Sequence, residues 1–187
     1  MVGKNVILIT IDCLHADHLG CLGYSKNTSP NIDDLAQKGA LFTQAFSNGS
    51  DTLQSFPSIL TSTYSLMYGD FGRPLSEQRI TIAETLKKYG YSTAAFHSNP
   101  YLTSYSNYNR GFDTFEDFLH EPLTKKNSAI AKIKIGESKK VPSKLQKKLS
   151  LARRMVEVIR GDLPYKYYKN ADTINRKALC WLRANPD

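Results

Sequence analysis

The first apolar run of the chain, Asn5-Val-Ile-Leu-Ile-Thr-Ile11, is rich in β-branched residues and ends on Asp12. It predicts a buried strand that delivers a carboxylate to the C-terminal edge of a sheet. Pro30 suits the first position of a helix capped by Ser29, and Ile32, Leu35 and Ala36 give that helix an apolar face before Gly39 stops it. Residues 40–46 read as the next strand. Between 80 and 89, Ile82, Ala83, Leu86 and Tyr89 recur at helical spacing; Gly90 ends that helix and Tyr91 to Phe96 reads as a further strand. From 121 to 142 the periodicity dissolves into lysines and small polar residues, which reads as a basic loop or insertion. Leu145, Leu149, Ala152, Val156 and Ile159 then mark one face of a helix, and a last helix from about Asn170 to Ala184 carries Ile174, Ala178, Trp181 and Leu182. Helices alternating with strands predict an α/β fold with a mostly parallel sheet covered on both faces.

Candidate chemistry gathers in two places. Asp12 supplies a hard oxygen suited to calcium or magnesium. Ser55-Phe56-Pro57-Ser58 reads as a nucleophile at the start of a helix, with Pro57 in the first turn and Ser55 over free backbone N–H groups that attract a tetrahedral anion. A helix-capping serine is the plainer reading of Ser55. Together, Asp12 and Ser55 suggest a metal-assisted esterase.

Length and composition bound this reading. The chain has 187 residues, 41% hydrophobic and 22% charged, which fits one globular domain or a large part of one. No apolar run reaches the roughly 18–20 residues that span a bilayer, and the N-terminus passes directly into the first apolar run without a secretory signal pattern. Cys13, Cys21 and Cys180 are an odd number without a disulfide framework. A cytoplasmic location is therefore the expectation. Residues 1–120 carry 8 Lys/Arg against 11 Asp/Glu, a net of −3, whereas residues 121–187 carry 17 against 6, a net of +11. The basic third is either a solvated face or a surface for an anionic partner; nothing in it indicates specific nucleic-acid recognition.

Val6 to Asp12, continued by Asp17, Gly20 and Tyr24, then Thr28-Ser-Pro30 with Asp33 and Ala36, and Gly39 with Phe42 and Ala45, resembles the opening segment of the sulfatase family, within the alkaline phosphatase superfamily. Ser55-x-Pro57-Ser58 falls at the family's Cys/Ser-x-Pro-Ser-Arg signature, and Gly90 to Ala94 and Gly111 to Phe115 match later segments. The resemblance implies a sulfatase-like α/β fold, truncated here: residues 1–120 as the N-terminal part of the domain, 121–142 as a loop or insertion, and 143–187 as a helical segment of the same domain. It further implies hydrolysis of small-molecule or saccharide sulfate esters. Ser55 would be the nucleophile, His97 and Asn99 would meet substrate, and Asp12 and Cys13 would take the positions of metal ligands. The implied metal is divalent, calcium first, with magnesium, manganese or zinc as alternatives.

Departures from the family pattern bear on the chemistry. Cys13 stands where a second aspartate is frequent, and a thiol is a poor calcium ligand. Ile59 stands where the signature places the Arg needed for formylglycine formation, so an unmodified Ser55 attacking phosphorus is a competing reading. Asn99 replaces a lysine and supplies a hydrogen bond without charge. His15 occupies a frequent arginine position, and Asp17 is expected in a structural pairing nearby. Cys13, His15, His18 and Cys21 lie on one short segment, unlike the paired ligands of structural zinc sites, and the reading there is against zinc. The family's remaining metal ligands lie beyond Asp187, so the chain by itself is expected to be inactive or very weak. A non-catalytic remnant that binds an anionic partner is the alternative from another class.

Overall fold

The computed structural model describes residues 4–68, 74–118 and 169–186. The chain divides into two compact units, one formed by residues 1–47 and the other by residues 48–186.

The first unit is organised around helix α1, Pro30–Lys38, which begins at Ser29 with Pro30 at its first position and ends at Gly39, as the sequence predicts. Ser29 works differently from an ordinary cap. Its hydroxyl accepts from the Gly20 N–H at 2.9 Å and donates to Asp33 Oδ1 at 3.0 Å, and Asp33 Oδ1 also accepts from the Cys21 N–H at 2.7 Å. These bonds tie two short 3-10 turns, Ala16–His18 and Gly20–Leu22, to the first turn of α1. Gly20 is required by this close approach, because a Cβ there would lie 2.3 Å from Asp33 Oδ2. Partial burial pushes the Asp33 carboxyl up, but the bonds from Cys21 N–H and the Ser29 hydroxyl outweigh it and hold the group below its ordinary range.

Two expected strands do not form. Residues 5–11 hold no strand, and Val6, Ile7, Leu8, Ile9 and Ile11 are between 53% and 75% exposed. Residues 40–46 are interrupted by a turn at 43–44, with Phe42 and Phe46 exposed. The reason is that a strand of a parallel sheet acquires hydrogen bonds only from neighbouring strands distant in sequence. No strand occurs among the described residues of this unit.

The second unit holds α2, Thr52–Thr61; α3, Ile82–Lys88; β1, Ala94–Phe96; β2, Thr114–Glu116; and α4, Ala171–Ala184. Thr81 caps α3 in a complete capping box: its hydroxyl accepts from the Glu84 N–H, and the Glu84 carboxylate accepts from the Thr81 N–H. β1 and β2 pair in parallel with Ala95 opposite Phe115, the one sheet among the described residues. β1 begins at Ala94 rather than Tyr91 because the Thr93 N–H donates to the Asp113 carboxylate at 3.0 Å instead of joining the ladder. Lys87 beside Asp113, with the Thr93 bonds, lowers that carboxyl to about 2. α4 starts at Asn170, whose side chain accepts from the Thr173 N–H, and Trp181 packs on Phe96 of β1 at a ring distance of 6.4 Å.

Among the described residues, the core of this unit is built from Leu75, Leu102 and Tyr108, with Phe56, Leu60 and Phe115 packed against it. Phe56 and Leu60 lie one turn apart on α2, so this core anchors the helix that carries Ser55. Gly111, at a φ of 83°, allows its turn to approach α3, since a Cβ there would lie 2.2 Å from the Glu84 nitrogen. The basic loop expected at 121–142 and the helical face expected at 145–159 lie outside the described residues.

Candidate active site

Ser55 is the fourth residue of α2, because the helix starts well before Pro57. This corrects the expected placement of Pro57 in the first turn: it is buried inside the helix, where it offers no N–H to the carbonyl of Leu53. The N-cap is Asp51, whose carboxylate accepts from the Gln54 N–H at 3.0 Å and from Gln54 Nε2 at 2.8 Å. The Ser55 N–H donates to the Asp51 carbonyl at 2.9 Å, and the Ser55 hydroxyl donates to the same oxygen at 2.7 Å. Ser55 therefore does not sit over free amides. Asp51 already takes up two donors of this helix end and holds the Ser55 hydroxyl as well.

Ser58 lies one turn beyond Ser55, on the same side of the helix. Its hydroxyl is buried and has no hydrogen-bond partner among the described residues, in a position to which the sequence assigns no role.

His97 and Asn99 follow β1. The Asn99 N–H donates to His97 Nδ1 at 3.2 Å, Asn99 Oδ1 accepts from the Tyr101 N–H at 3.0 Å, and Asn99 Nδ2 donates to Thr52 Oγ1 at 3.5 Å. That last contact brings the turn after β1 to the first residue of α2, three positions from Ser55. The His97 ring stands edge-on to Phe115, with centroids 5.2 Å apart. Because Nδ1 accepts a hydrogen bond, the neutral ring carries its proton on Nε2, which is buried. Burial pushes the His97 pKa below its ordinary value of 6.5, against the pull of Asp117. The unfolded chain thus binds a proton that the folded chain resists. The stability associated with neutral His97 is complete above pH 6.5 and is lost as pH falls toward the lower folded value. Denaturation midpoints measured between pH 8 and 5 are expected to fall on the acid side, and His97→Gln is expected to flatten that slope.

Asp12 and Cys13 belong to the first unit. Asp12 is exposed, and its carboxylate accepts from the Cys13 thiol at 3.7 Å. Cys13 has a φ of 55°, in the left-handed region that Asp and Asn tolerate better than most side chains. The cysteines do not gather with His15 and His18 as one donor set. Instead, Asp17 joins the two histidines: His18 Nδ1 lies 2.9 Å and His15 Nδ1 3.8 Å from Asp17 Oδ1. Burial and the neighbouring Asp33 push the Cys21 thiol up, which keeps it protonated. An open cleft of about 460 Å³ in this unit, lined in part by Cys21, Tyr24, Lys26 and Gln37, includes neither Asp12 nor the histidines.

The sulfatase family model matches residues 4–152. The chain belongs to the sulfatase family. Among its relatives, human arylsulfatase A is 34% identical over 99 residues, covering 48% of this chain and 19% of the relative. N-acetylgalactosamine-6-O-sulfatase of Bacteroides thetaiotaomicron is 31% identical over 96 residues, covering 48% and 19%. Human arylsulfatase D is 29% identical over 132 residues, covering 59% and 22%. The chain thus spans about a fifth of the length of these curated relatives. No solved structure matches it significantly.

Membership of the sulfatase family carries an alkaline-phosphatase-like α/β fold. It also implies a divalent metal. Calcium takes 6–8 oxygens, so the Asp12 carboxylate fits as one member of such a set, while the Cys13 thiol beside it does not. Cys13→Asp tests this position: aspartate tolerates the left-handed backbone better and adds a hard oxygen, and tighter calcium binding in calorimetric titration is the outcome expected of a ligand position.

Proposed function

We propose that the whole protein of which this chain is a part hydrolyses sulfate esters of small molecules or saccharides, with Ser55 at the reacting centre. The observation that supports this reading is the Asn99–Thr52 contact, which brings the turn of His97 and Asn99 to the helix of Ser55, three positions before it, in a chain of the sulfatase family. Asp12 is proposed as one oxygen ligand of a divalent cation, calcium first.

The remaining roles belong to the chain's own side chains. Ser55 releases the Asp51 carbonyl and turns its oxygen outward. Asn99, whose carboxamide N–H reaches Thr52 at 3.5 Å, donates to a sulfuryl oxygen. His97, neutral with its proton on Nε2, donates to a second ester oxygen or to the leaving group. Asp51 repels an anion at this helix end, so its carboxylate must stay engaged with Gln54 as the ester enters.

Ile59, exposed on α2 in place of the signature arginine, favours a second reading within the same superfamily: Ser55 stays a serine and attacks a phosphate ester. The proposed domain organisation keeps residues 1–120 as the N-terminal part of the sulfatase domain. A cytoplasmic location is proposed on three free cysteines, Cys13, Cys21 and Cys180. The decisive experiment assays the 187-residue chain and a longer form on aryl sulfate and aryl phosphate with added calcium, together with an intact mass of Ser55. Calcium-dependent turnover by the longer form supports the hydrolase, and the preferred ester chooses between the readings. Absence of turnover on both esters, with Ser55 unmodified, rejects both and favours a non-catalytic anion-binding protein.

A further inference from the structure

We infer that His15, Asp17 and His18 form a binding site for a borderline divalent cation, zinc in the first place, separate from the hard-metal position at Asp12. The 3-10 turn Ala16–His18 sets the geometry. Each of the three side chains offers one ligand atom, and these atoms lie within 4.8 Å of one another. Ligands on a tetrahedral zinc with bonds of about 2.0 Å stand about 3.3 Å apart. The spacings from Asp17 Oδ1, 2.9 Å to His18 Nδ1 and 3.8 Å to His15 Nδ1, bracket that value. Closing the set around an ion needs only small rotations of the two rings.

The donor chemistry selects the ion. Two imidazoles and one carboxylate suit zinc, cobalt or nickel, whereas calcium and magnesium need a shell of oxygens. Asp17 is held in its carboxylate form by the hydrogen bond with His18. Neither sulfur competes: the Cys13 thiol is directed at Asp12, and the Cys21 thiol is pushed up by burial. The donors are open to solvent, with side-chain exposures of 75%, 78% and 56% for His15, Asp17 and His18, so an ion reaches them directly.

The backbone beneath them is fixed. Thr28 Oγ1 donates to the His18 carbonyl at 2.7 Å, the next turn is tied to Ser29 and Asp33, and the His18 ring lies 4.8 Å from that of Tyr24. Such support lowers the ordering cost that an exposed three-ligand site otherwise carries. A fourth position stays open to water or an outside donor.

The test titrates cobalt(II), and zinc in competition, into the tag-free 187-residue chain with calcium present throughout, so that hard-ligand sites are occupied. The expected result is one equivalent bound, a visible absorption band of a nitrogen and oxygen site, and no thiolate-to-cobalt band in the near ultraviolet. Loss of an outer-shell partner alone weakens metal sites by about 10–100-fold, so His15→Ala, His18→Ala and Asp17→Asn are each expected to weaken binding at least tenfold. Cys13→Ser and Cys21→Ser are expected to leave it unchanged. Circular dichroism of each variant shows whether it keeps the wild-type helix content. Absence of stoichiometric binding, binding that survives both histidine substitutions, or a thiolate band would overturn the assignment and leave Asp17 as an ion-pair partner of His18 only.

Discussion

Ser55→Ala is expected to reduce the turnover of the longer protein by about 10³-fold or more, with substrate binding largely retained. The hydroxyl is small and half-buried, and it donates locally to the Asp51 carbonyl, so its removal leaves α2 standing. Asp51 still caps through Gln54, and Phe56 and Leu60 still pack on the core. A kcat loss with an unchanged melting transition would therefore identify chemistry rather than folding. The neighbouring substitution Ser58→Ala provides the contrast. The Ser58 hydroxyl is buried with no partner among the described residues, so its loss is expected to be neutral or slightly stabilising. If Ser55→Ala retained more than a tenth of the wild-type rate, the nucleophile would lie elsewhere, and the end of α2 would be at most a binding surface.

What was legible in the sequence was whatever is decided within one or two helical turns. Pro30 at the first position of α1, Asn170 before α4, and Gly90 at a φ of 83° after α3 each act through neighbours in the chain. The start of α2 obeyed the same logic but was misplaced, since Pro57 drew the boundary inward. Asp51 followed by Gln54 is the capping pattern that would have set it correctly. Strand pairing is different in kind. The run from Val6 to Ile11 has every compositional mark of a buried strand, yet pairing depends on partners far along the chain, and none forms within the described residues. Ser55, His97 and Asn99 stand out in the sequence as residue types, but the contact between Asn99 and Thr52 joins segments 47 positions apart, and no local pattern announces it. Asp17 was expected in a structural pairing nearby; its partners, His15 and His18, lie within two positions of it, close enough for the pairing to be local.

Buried arginine was the feature least visible in advance, and it carries the largest expected effect on stability. Arg79 is 1% exposed. Its guanidinium donates to the Tyr64 carbonyl at 3.0 Å, to the Ser65 carbonyl at 2.9 Å and to the Thr63 hydroxyl, and it stacks 4.8 Å from the Tyr68 ring. Its own carbonyl accepts from Arg110, which also reaches the Ser76 carbonyl at 3.0 Å and Glu84 at 3.2 Å. One planar group thus clamps residues 63–65, just beyond the end of α2, onto the segment that leads into α3. Arg79→Ala removes these donors, leaves buried carbonyls poorly satisfied and opens a cavity, and is expected to cost about 3–4 kcal/mol. Arg79→Lys keeps a charge but not the fork that serves several oxygens at once, and is expected to recover less than half of the loss. Trp181 is the single tryptophan of the chain and packs within the same unit, so urea unfolding followed by its fluorescence reads this unit directly. A loss below about 1 kcal/mol for the alanine variant would mean that the clamp is not what holds the end of the Ser55 helix. The expected loss, by contrast, makes Arg79 a residue whose substitution lowers activity through abundance of the folded protein, with kcat per folded molecule unchanged.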